Sequence, residues 1–318
     1  MSEEISTREA YGRALVELGE EHNDIVVLDA DLSKSTMTCH FAERFPDRFF
    51  NCGVAEQNMI GIAAGLAASD KIVFASTFAV FATARCFDQL RVSVAQSRLN
   101  VKIVASHSGI TVGEDGFSHQ SVEDLALVCS LPGFKVIAPA DANETVQAVR
   151  VAALDYGPYY IRLSRPKTPA VYDDSYQFQL GKAVALRPGS GATIIVTGIM
   201  AANAIEASRN LEQQGISCRV LSMPTVKPID EEAIVRAAQQ TGAIVTVEEH
   251  LEHGGLGSKV AQVVAQHQPV PMQFVALKDT YAKSGKPEEL LDRYCLGASH
   301  IEEAVRSALS QKERLKHA

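Results

Sequence analysis

His107-Ser-Gly-Ile-Thr-Val-Gly-Glu-Asp-Gly-Phe-Ser-His-Gln120 is the stretch on which the fold turns. Directly before it, Val101-Lys-Ile-Val-Ala-Ser106 is an almost unbroken apolar run of strand length, the pattern of a parallel strand buried on both faces. Directly after it, Ser121-Val-Glu-Asp124 opens a segment with helical apolar spacing and has the form of a capping box. A polar loop between a buried strand and a helix lies where open α/β sheets bind ligands. Gly109, Gly113 and Gly116 let the backbone turn sharply and approach a ligand closely. So polar a loop is costly to bury unless its groups meet a substrate or each other. Two plainer readings compete, a metal site and a solvated turn. His107 and His119 lack the spacing of a metal pair on one helix face, and no metal ligand is assigned.

Outward from this loop the chain alternates. Helical spacing of apolar residues predicts helices over 7–21, 56–68, 79–96, 121–129 and 142–153. Short apolar runs predict strands over 25–30, 71–76, 101–106, 134–138 and 158–164, with a polar loop at 31–36. Strands alternating with helices imply an α/β fold, a mainly parallel sheet covered on both faces. From Pro166 to Gly191 the rhythm lapses, and a second α/β unit follows, with strands expected at 193–197, 217–221, 243–247 and 272–276. The expected division is a first domain over 1–170, a linker over 171–190 and a second domain over 191–318, with a polar tail from Lys312 expected to fray.

A chain of 318 residues is long enough for two domains. Its 46% apolar and 21% charged residues are those of an ordinary globular protein. A net charge of −8 argues against nucleic acid or an anionic membrane as partner. The apolar runs are too short to span a bilayer, and the acidic first residues lack a signal-peptide core. The 6 cysteines are scattered without a Cys-x-x-Cys pair, which suits reduced thiols in a cytoplasm.

Gly113-Glu-Asp-Gly-Phe-Ser-His-Gln120 resembles the signature loop of the transketolases, which have Pro-Thr where this chain has Phe117-Ser118. The resemblance covers nearly the whole chain but only the later half of the family's architecture. It implies two domains, each a mainly parallel sheet covered by helices: a thiamine diphosphate pyrimidine-binding domain followed by a transketolase C-terminal domain. It implies transfer of a two-carbon ketol unit from a ketose phosphate to an aldose. The chain has no Gly-Asp-Gly, the family motif that with a downstream Asn holds Mg2+ and the cofactor's diphosphate. The resemblance therefore implies a partner, an N-terminal transketolase subunit carrying that motif, in an α2β2 assembly that acts on sugar phosphates.

The site residues can be weighed one at a time. Gly53-Val-Ala-Glu56-Gln-Asn-Met59 sets an acid at the opening of an apolar, small-residue helix. A helix dipole alone favours a Glu there. An acid in an apolar setting is also a candidate proton-sharing group, and the resemblance assigns Glu56 the hydrogen bond to N1′ of the cofactor's aminopyrimidine. Phe78 and Phe81, at a strand end, read blind as core packing; by resemblance they face the aminopyrimidine ring, a role suited to flat aromatic surfaces. The family's next aromatic falls at Ala84, which leaves that side open. Arg8, Ser35, His107 and Arg165 match the family's phosphate-binding positions, though Arg8 and Arg165 also read as surface cations and Ser35 as a turn residue. Arg suits phosphate because its fork donates two charge-assisted bonds. By the same resemblance Asp115 contacts a sugar hydroxyl, His119 is catalytic at the donor's reacting end, and Leu32 lies near the thiazolium; the role of Asp31 stays open. Glu249, His250 and His253 invite a metal reading, but the resemblance makes their stretch structural.

Two other thiamine diphosphate subunits share this pattern in part: the β subunit of a 2-oxo acid dehydrogenase and a deoxyxylulose phosphate synthase-like half. A non-catalytic α/β scaffold would have no need of Glu56 or of the scattered phosphate set.

Overall fold

The computed structural model describes residues 4–316. Its first unit is built on a seven-stranded sheet in the order Thr225–Lys227, Lys135–Ile137, Tyr159–Arg162, Val101–Ser106, Ile72–Phe78, Ile25–Asp29 and Phe49–Asn51. Every pairing is parallel except that of Thr225–Lys227, which runs antiparallel on the edge. All of Val101–Ser106 and of Ile25–Asp29 is buried, as their unbroken apolar runs require when helices cover both faces. The second sheet has five strands, ordered Met272–Leu277, Ile244–Leu251, Ala192–Val196, Cys218–Ser222 and Val184–Arg187.

Helix Thr7–Glu21 begins on a true capping box, the Ser6 hydroxyl accepting from the Glu9 N–H while the Glu9 carboxylate returns to the Ser6 N–H. It lies beside Ala142–Leu154, and Arg150 ties the two by pairing with Glu17 and Glu21.

Several expectations are corrected. The helix expected from 121 starts at Asp124 and has no side-chain cap. Ser121 is drawn instead into a bridge with Gly109, whose N–H donates to the Ser121 carbonyl at 2.8 Å. The Asp124 carboxylate is taken by Arg162 at 2.8 Å and the Tyr160 hydroxyl at 2.7 Å. The helix expected over 79–96 is split into π-helical turns at Phe81–Arg85 and Leu90–Ala95 around a short α-turn at Phe87–Gln89. The loop at 31–36 ends in the helical turn Ser33–Thr36. Val184–Arg187, inside the stretch read as a linker, is an edge strand of the second sheet. As far as the described residues go, the tail is helical: helix Ala298–Lys316 includes it, and Lys312 Nζ donates to the carbonyls of Gly191 at 3.1 Å and Thr241 at 2.7 Å. Residues 1–3 and 317–318 lie outside the described residues. Among the described residues no helix is long and apolar enough to cross a membrane.

Candidate active site

The register of the first sheet brings several strand ends to one rim, with Asp29 beside Ser76 and Phe78 beside Ser106. Strand Ile72–Phe78 runs two residues past its expected end, which carries the Phe78 ring to that rim. His107 follows Ser106 with φ 57°, a left-handed turn that folds its imidazole back over Phe78. The two rings stack at 3.8 Å and 20°. Phe81 stacks on Phe78 at 5.8 Å, and His119 meets the two phenyl rings edge-on at 6.2 and 5.4 Å. Burial, then the charges of Arg8, Arg165 and His119, push the His107 pKa down to about 3. His107 is therefore neutral at ordinary pH, and its Nδ1 is engaged by the Ser106 hydroxyl at 2.9 Å.

Glu56 is the first residue of helix Glu56–Ala67, where unpaired N–H groups favour a negative charge. Its side chain is 5% exposed, and Arg85 Nη1 donates to its Oε1 at 2.7 Å. The Arg85 guanidinium lies 4.0 Å above the centre of the Phe81 ring. Glu56, Arg85, Phe81, Phe78 and His107 thus form one continuous line of contacts. Glu56 and Arg85 open on a cavity of about 570 Å3 that Ala84 also lines; a bulky ring at that position would narrow it.

The phosphate set gathers beside His107. Arg8 Nη1 donates to the Ser35 carbonyl at 2.8 Å, while Arg8 Nε is buried without a partner. Burial lowers the Arg8 pKa; Glu9 opposes this and Arg165 adds to it. Arg165 donates to the Val112 carbonyl and lies 3.8 Å from Glu114 and 3.9 Å from Asp115. Leu32 enters through its backbone: its N–H donates to Asp29 Oδ1 at 2.6 Å, at the end of the strand next to that of Phe78. Asp31 has φ 63° and accepts from Asn51 at 2.9 Å.

Two residues, Asp29 and Arg85, escaped the sequence reading, and Glu249, read as part of a structural stretch, has a contact that reading did not give. Asp29 is fully buried and organises the Leu32 loop through Thr36 and Thr38 as well; an acid closing an apolar strand was its only visible signal. Arg85 gave no signal, because the carboxylate it meets lies 29 residues away in the chain. Glu249 reaches under the loop at 107–120 and accepts from the Thr111 N–H. Its neighbours are structural too. Glu248 accepts from the Leu256 and Gly257 N–H groups at 2.7 Å each, and His250 Nε2 accepts from the Ala126 N–H at 3.3 Å. Among the described residues no cluster fit for a metal ion occurs.

Comparison with known proteins gives the family. Residues 3–170 match the transketolase pyrimidine-binding domain, and residues 181–301 match the transketolase C-terminal domain. A putative transketolase C-terminal section from Methanocaldococcus jannaschii is 45% identical over 308 residues, 96% of each chain. A 6-deoxy-6-sulfo-D-fructose transketolase subunit from Clostridium sp. is 41% identical over 310 residues, 98% of this chain and 96% of that one. A solved structure described as a split gene transketolase, inactive beta4 tetramer, superposes with a TM-score of 0.90 at 49% identity, over 98% of this chain and 100% of that one. With both domain types present in order and matched along almost the full length of such relatives, the chain belongs to the transketolase family.

Proposed function

We propose that this chain is one subunit of a thiamine diphosphate-dependent transketolase, a transferase that moves a two-carbon ketol unit from a ketose phosphate to an aldose. The observation that carries the proposal is the line from Glu56 to His107 across the faces of Phe81 and Phe78, beside an open cavity. A flat heteroaromatic with a ring nitrogen suits such a place: the Phe81 face now covered by Arg85 offers a stacking surface, and a carboxyl buried but for 5% lies beside it. Bound there, the cofactor supplies the electron sink for breaking and forming the carbon–carbon bond.

The chain's own groups then have separate tasks. Glu56 shares a proton with N1′ of the aminopyrimidine. Phe78 and Phe81 hold the ring's orientation, and Leu32 offers apolar surface to the thiazolium. His119, edge-on to both phenyl rings, orients the donor's reacting end. Neutral His107 has Nδ1 engaged by Ser106, which leaves Nε2 for substrate. Arg8, whose buried Nε lacks a partner, binds the terminal phosphate with Arg165, Ser35 and His107. Asp115 accepts from a sugar hydroxyl. The diphosphate and Mg2+ are held by an N-terminal partner subunit with Gly-Asp-Gly, in an α2β2 assembly located in the cytoplasm. The phosphate-binding group favours this reading over a 2-oxo acid dehydrogenase β subunit, whose substrates need no such anion site.

Replacing Glu56 by Gln tests the assignment. A neutral amide cannot share the proton as a carboxyl does, so exchange of the cofactor's C2 proton, followed by NMR in the complex with the partner subunit, should slow by about a hundredfold or more. Near-normal exchange would reduce Glu56 to a helix-start acid.

A further inference from the structure

The Arg85–Glu56 pair stands where the proposed cofactor ring would lie. The guanidinium is flat, rests 4.0 Å above the Phe81 ring and donates to Glu56 Oε1 at 2.7 Å. An aminopyrimidine bound as proposed makes the same two demands, an aromatic face and the Glu56 carboxyl. The guanidinium holds Oε1 and covers one face of Phe81, so a ring that uses the same oxygen and the same face competes with it.

Exposure decides which group gives way. The Arg85 side chain is 48% exposed and that of Glu56 5%. Arg85 has solvent to swing into; Glu56 is enclosed at its helix start. The motion is confined to the side chain, because the Arg85 carbonyl is held by the Gln57 amide at 2.9 Å and its backbone belongs to the π-helical turn Phe81–Arg85. π-Helical turns of this kind concentrate at functional sites. Ala84, next in the cavity wall, puts no bulk in the way.

Building on the thiamine diphosphate reading, we propose that Arg85 is a positioning residue for Glu56 that the cofactor's ring displaces. Before the ring arrives, the guanidinium takes its place: it neutralises the Glu56 carboxylate and keeps it aimed across the face of Phe81. On binding, Arg85 moves outward, and the freed Glu56 carboxylate takes up one proton from solvent and shares it with N1′. Part of the cofactor's intrinsic affinity is therefore spent on breaking the pair, and the carboxyl is oriented in return.

The test is calorimetry of thiamine diphosphate binding, in the presence of Mg2+, to the complex of this chain with its N-terminal partner. With Arg85→Ala the dissociation constant should tighten by roughly three- to tenfold, as suits loss of a half-exposed ion pair that competes with the ligand. Arg85→Lys keeps the charge without the planar fork and should fall between. Weaker binding by Arg85→Ala would make Arg85 part of the loaded site, and unchanged binding would make the pair incidental; either result overturns the proposal. A second readout needs no Arg85 variant. In 15N spectra of the guanidinium groups, slowed rotation of Arg85 should be present in the cofactor-free complex, absent in Glu56→Gln, and lost on adding cofactor to the wild type. Retention of that signal in the loaded complex also overturns the displacement. No binding to the wild-type complex would fell the thiamine diphosphate reading and this proposal together, whereas normal wild-type binding with an unaltered Arg85→Ala constant fells this proposal alone.

Discussion

His107 remains neutral through a pH range in which a free histidine becomes charged, and this leaves a mark on stability. Its pKa falls from 6.5 to about 3, burial being the main cause. Between those values the unfolded chain binds the extra proton and the folded chain does not, so stability is lost as pH falls from about 6.5 toward 3 and is unaffected by this group above 6.5. Replacing His107 by Asn removes the linkage. Urea unfolding measured from pH 7 down to pH 4 should show the variant's stability declining less steeply, by up to about 1.4 kcal/mol per pH unit below 6. Parallel curves would mean that His107 takes up its proton in the folded protein. The residues of this site differ in how far they could be read from sequence. Glu56 stood out as an acid heading an apolar helix, and Phe78 and Phe81 as a close aromatic pair. Arg85 did not, and Glu249 stood out only as one of a cluster with His250 and His253, because each acts across the fold: Arg85 lies 29 residues from Glu56, and Glu249 lies 138 from Thr111. No local pattern encodes contacts of that length.

The loop at 107–120 owes its shape to close packing from beneath as well as to its own glycines. Gly109 has φ 74°, and a Cβ there would sit 2.2 Å from the Glu249 carboxyl carbon. Gly109→Ala should therefore destabilise the chain by about 2–5 kcal/mol, the left-handed backbone and the overpacking each contributing. Because the clash needs both partners, Gly109→Ala combined with Glu249→Ala should cost clearly less than the sum of the single changes in thermal unfolding. Strict additivity would show that the loop relaxes away from Glu249. Elements were legible where a periodic pattern was long and buried. Helix Thr7–Glu21 and strand Val101–Ser106 fall at the bounds their apolar spacing predicts. Val184–Arg187 was missed because its apolar run, Ala183-Val-Ala-Leu186, is only four residues long and lies in a stretch otherwise rich in Pro, Lys, Asp and Tyr. The capping pattern at Ser121 misled because tertiary bonds from Gly109 and Arg162 fix its carbonyl, while its hydroxyl, the group a cap would use, is buried without a partner.

For the molecule as a whole, the open cavity at Glu56 and the lack of a Gly-Asp-Gly motif lead to one expectation. Titrated alone with thiamine diphosphate and Mg2+, the purified chain should bind at least about a hundredfold more weakly than in complex with its N-terminal partner, a difference of ~2.7 kcal/mol. Tight Mg2+-dependent binding by the chain alone would overturn the division of the site between two subunits. The two sheets, for their part, are interleaved. After Cys218–Ser222 has joined the second sheet, Thr225–Lys227 crosses back to pair with Lys135–Ile137 at the edge of the first. Lys227 Nζ then donates to the Cys129 and Leu131 carbonyls at 2.9 and 2.6 Å. A fragment ending in the stretch between the sheets would lose this closing strand. The N–H and C=O groups of Lys135–Ile137 would face water as a bare template, free to recruit a strand from another molecule and begin aggregation. The second unit therefore also acts as an intramolecular guard on the first, shielding its sheet from self-association.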